Sequence, residues 1–268
     1  MTTSPQSYRK RTWSNSFLEK KFKALAATAF DRIMARRTAN EIATNGLNRL
    51  REQWRDPLLT SVTLLLALLM FVLVPLEAAG VTGAQDLGFS IAVLVIGAAI
   101  VLSGNLIAIV VMLAGLGLAI VAYVLRLHQP STLDVYLKAI TWVLTGLAPM
   151  WVVARAVFAP GAVTYHRVMG AILLYLAIGW TFVGAFTLVG LLVPNAFTGM
   201  TVGDSPALAS TMVYFSFGTL TTAGSGDIAP LHPFARSLVN LEAMIGQLYP
   251  ATLLARLVTL EIEGEAKR

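Results

Sequence analysis

One segment of the chain, from Thr219 to Asp227, combines residue types suited to binding a cation through backbone oxygens. It reads Thr-Leu-Thr-Thr-Ala-Gly-Ser-Gly-Asp, and its two glycines alternate with Ala223 and Ser225. Glycine adopts positive φ without steric cost, so alternating residues of opposite handedness can turn successive carbonyl oxygens toward one axis. A ring of carbonyl oxygens replaces the water shell of a cation. The spacing therefore predicts ion coordination rather than covalent catalysis.

The residues just before this segment predict a short helix that ends at it. Asp204 or Ser205 can cap the helix, and Pro206 suits its first turn. Residues 212–217 supply an apolar, aromatic surface. The negative end of the helix dipole would then lie near residues 218–221, where it favours a cation.

The composition places these elements in a lipid bilayer. Hydrophobic residues make up 56% of the 268 residues and charged residues only 13%, whereas about a quarter of an ordinary soluble domain is charged. The absence of cysteine excludes disulfides, thiolate metal sites and iron–sulfur clusters. Neither the apolar runs nor the glycine-rich segment carries a nucleophile–base pair, a phosphate-binding loop or a cofactor fingerprint. We therefore expect no enzyme activity and no cofactor other than permeant ions.

Six apolar runs predict an all-α membrane protein with six transmembrane helices, because a helix needs about 20 residues to cross the hydrocarbon. The glycine-rich segment falls between the fifth and sixth runs and is too polar for a seventh crossing, which predicts a re-entrant pore helix and filter loop. Only the second run is short. The runs are Leu58 to Leu76, Leu87 to Leu102, Leu106 to Leu125, Tyr136 to Phe158, Val168 to Val193 and Phe234 to about Leu260.

Basic residues near the ends of these runs predict the orientation. The loop from Glu77 to Asp86 has no Lys or Arg and is expected outside, whereas Arg155 and Arg167 flank a loop expected inside. Arg126 is the exception, at the outer end of the third run. Both termini are therefore predicted to be cytoplasmic, in an inner (plasma) membrane.

The first 56 residues carry twelve basic side chains against five acidic ones. Apolar residues from Phe22 to Met34 recur at helical spacing, which predicts an amphipathic basic helix. We favour a helix lying on the anionic inner leaflet of the bilayer. A gate-coupled or partner-binding element is the alternative, and no nucleic-acid partner is expected because no recognition motif accompanies the charge.

The glycine-rich segment, with Tyr214–Phe217 before it and Ile228–Pro230 after it, resembles the pore loop of the potassium channel family, whose filter reads Thr-Val-Gly-Tyr-Gly-Asp. The resemblance implies a homotetramer that conducts K⁺ passively, because one chain supplies one loop and the carbonyl cage needs four. It implies a conducting filter of Thr222, Ala223, Gly224, Ser225 and Gly226, with K⁺ held by the carbonyls of the first four. It implies support for the filter from Thr219, Thr221, Asp227, Tyr214 and Phe215.

Two filter residues depart from the family. Ala223 replaces the usual valine, and Ser225 replaces the aromatic residue that packs in a cuff against the pore helix. The chemistry of coordination is retained because it uses backbone carbonyls. Two alternatives stay open: a weakly selective Na⁺/K⁺ channel, and a non-conducting membrane subunit or transporter.

The last run carries four residues of interest. Gly246 resembles the hinge glycine of potassium-channel inner helices, and Pro250 removes the amide that would bond to its carbonyl. A gating hinge and a static kink are equally consistent with this pair. Gln247 matches a cavity-facing position of the family. Glu242 can attract cations or be hydrogen-bonded behind the pore helix, and we favour the second role.

The first four runs do not resemble a typical voltage sensor. The fourth offers only Lys138 and Arg155, seventeen residues apart, whereas a sensor needs several charges at three-residue spacing. The predicted organisation is a basic cytoplasmic segment, a four-helix transmembrane domain, a pore domain and a short tail, at residues 1–56, 57–160, 161–262 and 263–268.

Overall fold

The computed structural model describes residues 58–81, 83–102, 105–128, 132–158 and 165–265. The helix predicted in the first 56 residues lies outside these ranges. Within them the chain forms seven helices and one two-stranded ribbon. The helices are α1 (Leu58–Ala78), α2 (Ala84–Leu102), α3 (Leu106–His128), α4 (Thr132–Val157), α5 (Tyr165–Leu192), α6 (Leu208–Leu220) and α7 (Pro233–Glu265), and the strands are β1 (Phe197–Thr198) and β2 (Ala229–Pro230).

Within the described ranges, four helices are long and apolar enough to cross a membrane: Leu58–Ala78, Leu106–His128, Thr132–Arg155 and Arg167–Leu192. They correspond to the first, third, fourth and fifth predicted crossings. The apolar part of α2 is shorter, at Asp86–Ile100, and α7 is not among these four helices. The mainly helical, membrane-embedded fold is therefore supported, while the full count of six crossings stays a prediction.

Helix α1 contains a π-helical stretch, Leu69–Leu73, which ends two residues before Pro75. Proline lacks a backbone N–H, so the carbonyl one turn earlier loses its α-helical donor. A π-bulge absorbs such a local mismatch without ending the helix. The helix therefore continues to Ala78.

The buried core lies around α5, which packs against α4 on one side and against α6 and α7 on others. Phe186 of α5 is fully buried, and its ring meets Phe215 of α6 edge-on at 4.9 Å between centroids. Phe197 of β1 contacts both rings, at 6.0 and 5.4 Å. Such T-shaped pairs add about 0.5–1.5 kcal/mol each beyond their buried area. The three-ring cluster therefore fixes α6 against α5.

The ribbon joins the chain before α6 to the chain after the glycine-rich segment. Phe197 pairs with Pro230 and Thr198 pairs with Ala229 in an antiparallel register. Just after it, the N–H of Leu231 donates to the carbonyl of Ala196 at 2.8 Å. The ribbon thus fixes both ends of the segment from 199 to 228 at one place.

Candidate functional site

The start of α6 differs from the predicted cap. The helix begins at Leu208 after Ala207, which has no side chain to cap it. The hydroxyl of Ser205 accepts a hydrogen bond from the N–H of Ala207 at 3.2 Å, so Ser205 serves the turn before the helix. Asp204 is not a cap because its carboxylate is paired with Arg126.

The backbone after α6 alternates in handedness. Thr222, Gly224 and Gly226 have φ of 59°, 78° and 46°, while Ala223 and Ser225 between them do not have positive φ. A β-branched residue rarely adopts the left-handed region, which costs an L-residue about 1–2 kcal/mol. Strained backbone of this kind clusters at functional sites. The alternation expected from the glycines is therefore present, and Thr222 extends it by one residue.

Three of the four predicted coordinating carbonyls are unpaired. Among the described residues, no N–H or hydroxyl donates to the carbonyl of Thr222, Ala223 or Gly224. The carbonyl of Ser225 differs, because it accepts hydrogen bonds from the hydroxyl of Tyr214 at 3.1 Å and from the N–H groups of two following residues. The unpaired oxygens are thus concentrated in residues 222–224.

The support residues divide into two groups. The hydroxyls of Thr219 and Thr221 donate to the carbonyls of Phe215 and Phe217, at 2.9 and 2.6 Å, and so reinforce the last turn of α6. Tyr214 instead reaches the filter, where its hydroxyl donates to the carbonyl of Ser225. Tyr214 therefore braces the C-terminal end of the predicted filter.

Helix α7 contacts the filter and α6 at adjacent residues. The amide nitrogen of Gln247 donates to the hydroxyl of Thr222 at 2.8 Å. Gly246 packs directly on the end of α6: an added Cβ would overlap the carbonyl oxygen of Leu220 and lie 2.7 Å from its carbonyl carbon. Helix α7 continues through Gly246 and Pro250 as one helix. Close packing is thus a reason for this glycine besides the predicted hinge, which stays a prediction.

Glu242 of α7 is fully buried behind α6. The hydroxyl of Ser216 lies 2.5 Å from one of its carboxyl oxygens and 3.0 Å from the carbonyl of Gly179 in α5. A hydroxyl has one proton, so both contacts are hydrogen bonds only when the carboxyl group itself carries a proton and donates. The burial supports the structural role for Glu242 over cation attraction.

The structure therefore places Tyr214, Asp227, Gln247 and Gly246 beside the predicted filter. Phe215 lies on the buried side of α6, and Glu242 lies behind that helix. Pro250 is one turn further along α7. Sequence reasoning missed Ser216, which joins three helices. The signal was a serine on the otherwise apolar face of a short helix. It also missed the pairing of Arg126 with Asp134 at 3.1 Å and with Asp204. Among the described residues no cluster of acidic or histidine side chains could hold a metal ion.

Comparison with known proteins gives one match. Residues 153–262 match the model of a family described as an ion channel. No curated protein and no solved structure matches the chain. The matched range contains α5, α6, the glycine-rich segment and most of α7, which together carry all the site residues. This match supports an ion channel family, and with it passive ion conduction by an integral membrane protein, for the part of the chain that holds the site.

Proposed function

We propose that the protein is a homotetrameric potassium channel that conducts K⁺ passively through residues 222–226. The alternating backbone with its three unpaired carbonyls carries this proposal. Carbonyl oxygens that accept no hydrogen bond are free to replace the hydration shell of a cation. The carbonyls of Thr222, Ala223 and Gly224 coordinate K⁺ directly, and that of Ser225 does so in competition with the hydroxyl of Tyr214.

The exposure of the filter in a single chain supports the tetramer. Thr221, Thr222, Ala223 and Gly224 are all exposed, and an added Cβ on Gly224 would meet nothing within 4 Å. Irregular backbone at membrane depth is tolerated only where protein buries it or where it lines water. Four copies around one axis satisfy both conditions, and the exposed apolar side chains of α7, such as Met244 and Leu248, then face the shared cavity or a neighbouring subunit.

Selectivity depends on Ser225. Its side chain is buried, and its carbonyl rather than an aromatic ring connects the filter to α6. We propose K⁺ selectivity through this Tyr214 brace. A weakly selective Na⁺/K⁺ channel is the second candidate, because serine leaves the space that an aromatic ring fills in the family. The proposal includes six crossings, cytoplasmic termini and a basic N-terminal segment on the inner leaflet.

The test is ion flux of the purified full chain in lipid vesicles under opposed K⁺ and Na⁺ gradients. We expect the reversal potential of the wild type to lie near the equilibrium potential of K⁺. Ser225→Tyr restores the family aromatic, and Ser90→Tyr, at an exposed position of α2, is the matched control. A wild-type reversal potential near zero that Ser225→Tyr moves toward K⁺ would establish the weakly selective channel instead. Tetramers without flux in every variant would favour a non-conducting subunit or transporter.

A further inference from the structure

A cavity of about 210 Å³ lies among α1, α2, α3, α4 and α5, outside the filter. Each helix contributes one stripe of its surface, and the walls are mainly apolar, with Leu66, Phe89, Met112, Trp142 and Trp180 among them. A dry apolar cavity of about 150 Å³ is large enough to hold benzene. This cavity therefore accommodates an aromatic ring with a short side chain.

One end of the cavity is polar. The residues that line the cavity at this end are Glu77, Arg126, Lys138 and Asp204. Arg126 and Lys138 are both paired with Asp134, and Arg126 is also paired with Asp204. The carboxylate of Glu77 differs, because none of the described residues forms a hydrogen bond or close ion pair with it, although Lys138 and Arg126 attract it electrostatically from a longer distance. Glu77 is therefore an acceptor without a donor at the edge of the cavity.

A second unpaired polar group lies deeper. Thr141 lines the cavity, and its hydroxyl oxygen is buried and has no hydrogen-bond partner among the described residues. Thr141 lies one turn after Lys138 on α4, so the two side chains share a face of the helix. A buried unpaired hydroxyl is unfavourable, so a bound molecule that forms a hydrogen bond with it gains affinity.

We infer that this cavity binds an amphipathic small molecule whose apolar body fills the space between the helices and whose hydrogen-bond donor, an alcohol or an amine, pairs with Thr141 and Glu77. A donor is required because a carboxylate is an acceptor only, and the threonine hydroxyl accepts as well as donates. An alcohol and an amine are distinguished by their dependence on Glu77, since the charged amine gains most from a carboxylate.

The cavity also touches the chain that leads into α6. Asp204, Ser205 and Pro206 line it, as do Leu208 and Ala209 in the first turn of α6. A bound molecule therefore contacts the same short helix that positions the filter at its other end. Occupancy is expected to change ion flux, and this part of the inference rests on the proposed function.

Binding is measured with 2-(4-bromophenyl)ethanol on the full chain in vesicles of one lipid composition. Bromine quenches nearby tryptophan fluorescence, and Trp142 and Trp180 line the cavity. The three other tryptophans are changed to phenylalanine to leave these two as reporters. Ala119→Leu fills the cavity, and Ala114→Leu, an exposed position on the same helix, is the matched control.

We expect saturable quenching in the parent protein and in Ala114→Leu, and only linear quenching from lipid partitioning in Ala119→Leu. Thr141→Val keeps the shape of the side chain and should weaken alcohol binding about threefold to tenfold, as expected for one lost hydrogen bond, without weakening 1-bromo-4-ethylbenzene. Glu77→Gln should weaken 2-(4-bromophenyl)ethylamine more than the alcohol. Linear quenching in every protein would overturn the site, and equal loss of alcohol and hydrocarbon in Thr141→Val would overturn the donor pairing.

The effect on the pore is measured separately, as K⁺ flux with and without the bromoalcohol. We expect flux to change in Ala114→Leu and not in Ala119→Leu. Saturable quenching with unchanged flux would overturn the link to the pore while the binding site stands. Absence of flux before any ligand is added would contradict the proposed function, and the quenching experiment would still decide the site.

Discussion

Gly246→Ala tests the contact between α7 and the end of α6. An alanine Cβ would overlap the carbonyl oxygen of Leu220 and lie 2.7 Å from its carbonyl carbon, whereas real Cβ contacts stay at 3.0 Å or more. The obstacle is backbone, which cannot rotate away as a side chain can. The two helices must therefore separate, and the filter begins two residues after Leu220.

The magnitude follows from two opposing effects. Alanine in place of glycine stabilises a helix interior by up to about 1 kcal/mol. Overpacking a close contact costs about 1–3 kcal/mol, and a rigid backbone obstacle places Gly246→Ala toward the upper end of that range. We therefore expect Gly246→Ala to lose about 1–2 kcal/mol of stability. Gly117→Ala is the control, because an added Cβ there meets nothing within 4 Å.

The assay combines thermal unfolding of the purified protein with K⁺ flux in vesicles. Gly246→Ala should unfold at lower temperature and conduct with altered selectivity, while Gly117→Ala should match or exceed the wild type in stability. Pro250→Ala restores a helix donor without a clash and separates the hinge from the packing effect. The packing argument is refuted if Gly246→Ala keeps the stability and selectivity of the wild type. Altered gating in both Gly246→Ala and Pro250→Ala would then favour the hinge.

Three further substitutions test other contacts. Glu242→Gln keeps a donor for the Ser216 hydroxyl and should change the free energy of unfolding by less than about 1 kcal/mol. Glu242→Ala should cost about 1–3 kcal/mol because it leaves buried polar groups unpaired. Thermal unfolding measures both. Arg126→Gln removes one of the two cationic partners of the fully buried Asp134, and it should cost about 1–3 kcal/mol because Lys138 remains paired with that carboxylate. Asp204→Asn, at a partly exposed carboxylate, should cost less than about 1 kcal/mol. Tyr214→Phe removes the brace on the Ser225 carbonyl and should move the reversal potential toward zero.

Each of these results has a contrary outcome. An equal loss of stability in Glu242→Gln and Glu242→Ala would mean that the carboxyl group is needed for its charge. A larger loss of stability in Asp204→Asn than in Arg126→Gln would contradict the prediction that the pair with the buried Asp134 contributes more than the pair with Asp204. An unchanged reversal potential in Tyr214→Phe would show that the filter holds its shape without this hydroxyl.

The helices were predictable from the sequence because they depend on local apolar runs. The short helix before the glycine-rich segment and the alternation of φ at Gly224 and Gly226 follow from residue type alone, and the structure confirms them. The wrong assignment of the helix cap has a physical reason. Asp204 had a stronger partner in Arg126, 78 residues away, and no local pattern reveals such a partner.

The contacts between helices were not predictable for the same reason. Ser216 and Glu242 meet across 26 residues, and the ribbon pairs Phe197 with Pro230 across the whole site. Such pairs are chosen by how α5, α6 and α7 pack, and a serine or a two-residue strand carries no local preference strong enough to indicate them. Positive φ at Thr222 was likewise hidden, because threonine rarely adopts it.

The pairing of Arg126 has a consequence for how the chain enters the membrane. An arginine at the end of a membrane-length helix biases that end toward the cytoplasmic side during insertion. Asp134 follows only eight residues later and is available as soon as the next helix emerges, whereas Asp204 emerges much later, with the loop before α6. The pair with Asp134 can therefore form within the hairpin of α3 and α4. The pair with Asp204 can form only once the loop before α6 has been made, so Arg126 links this early hairpin to the chain that leads into α6.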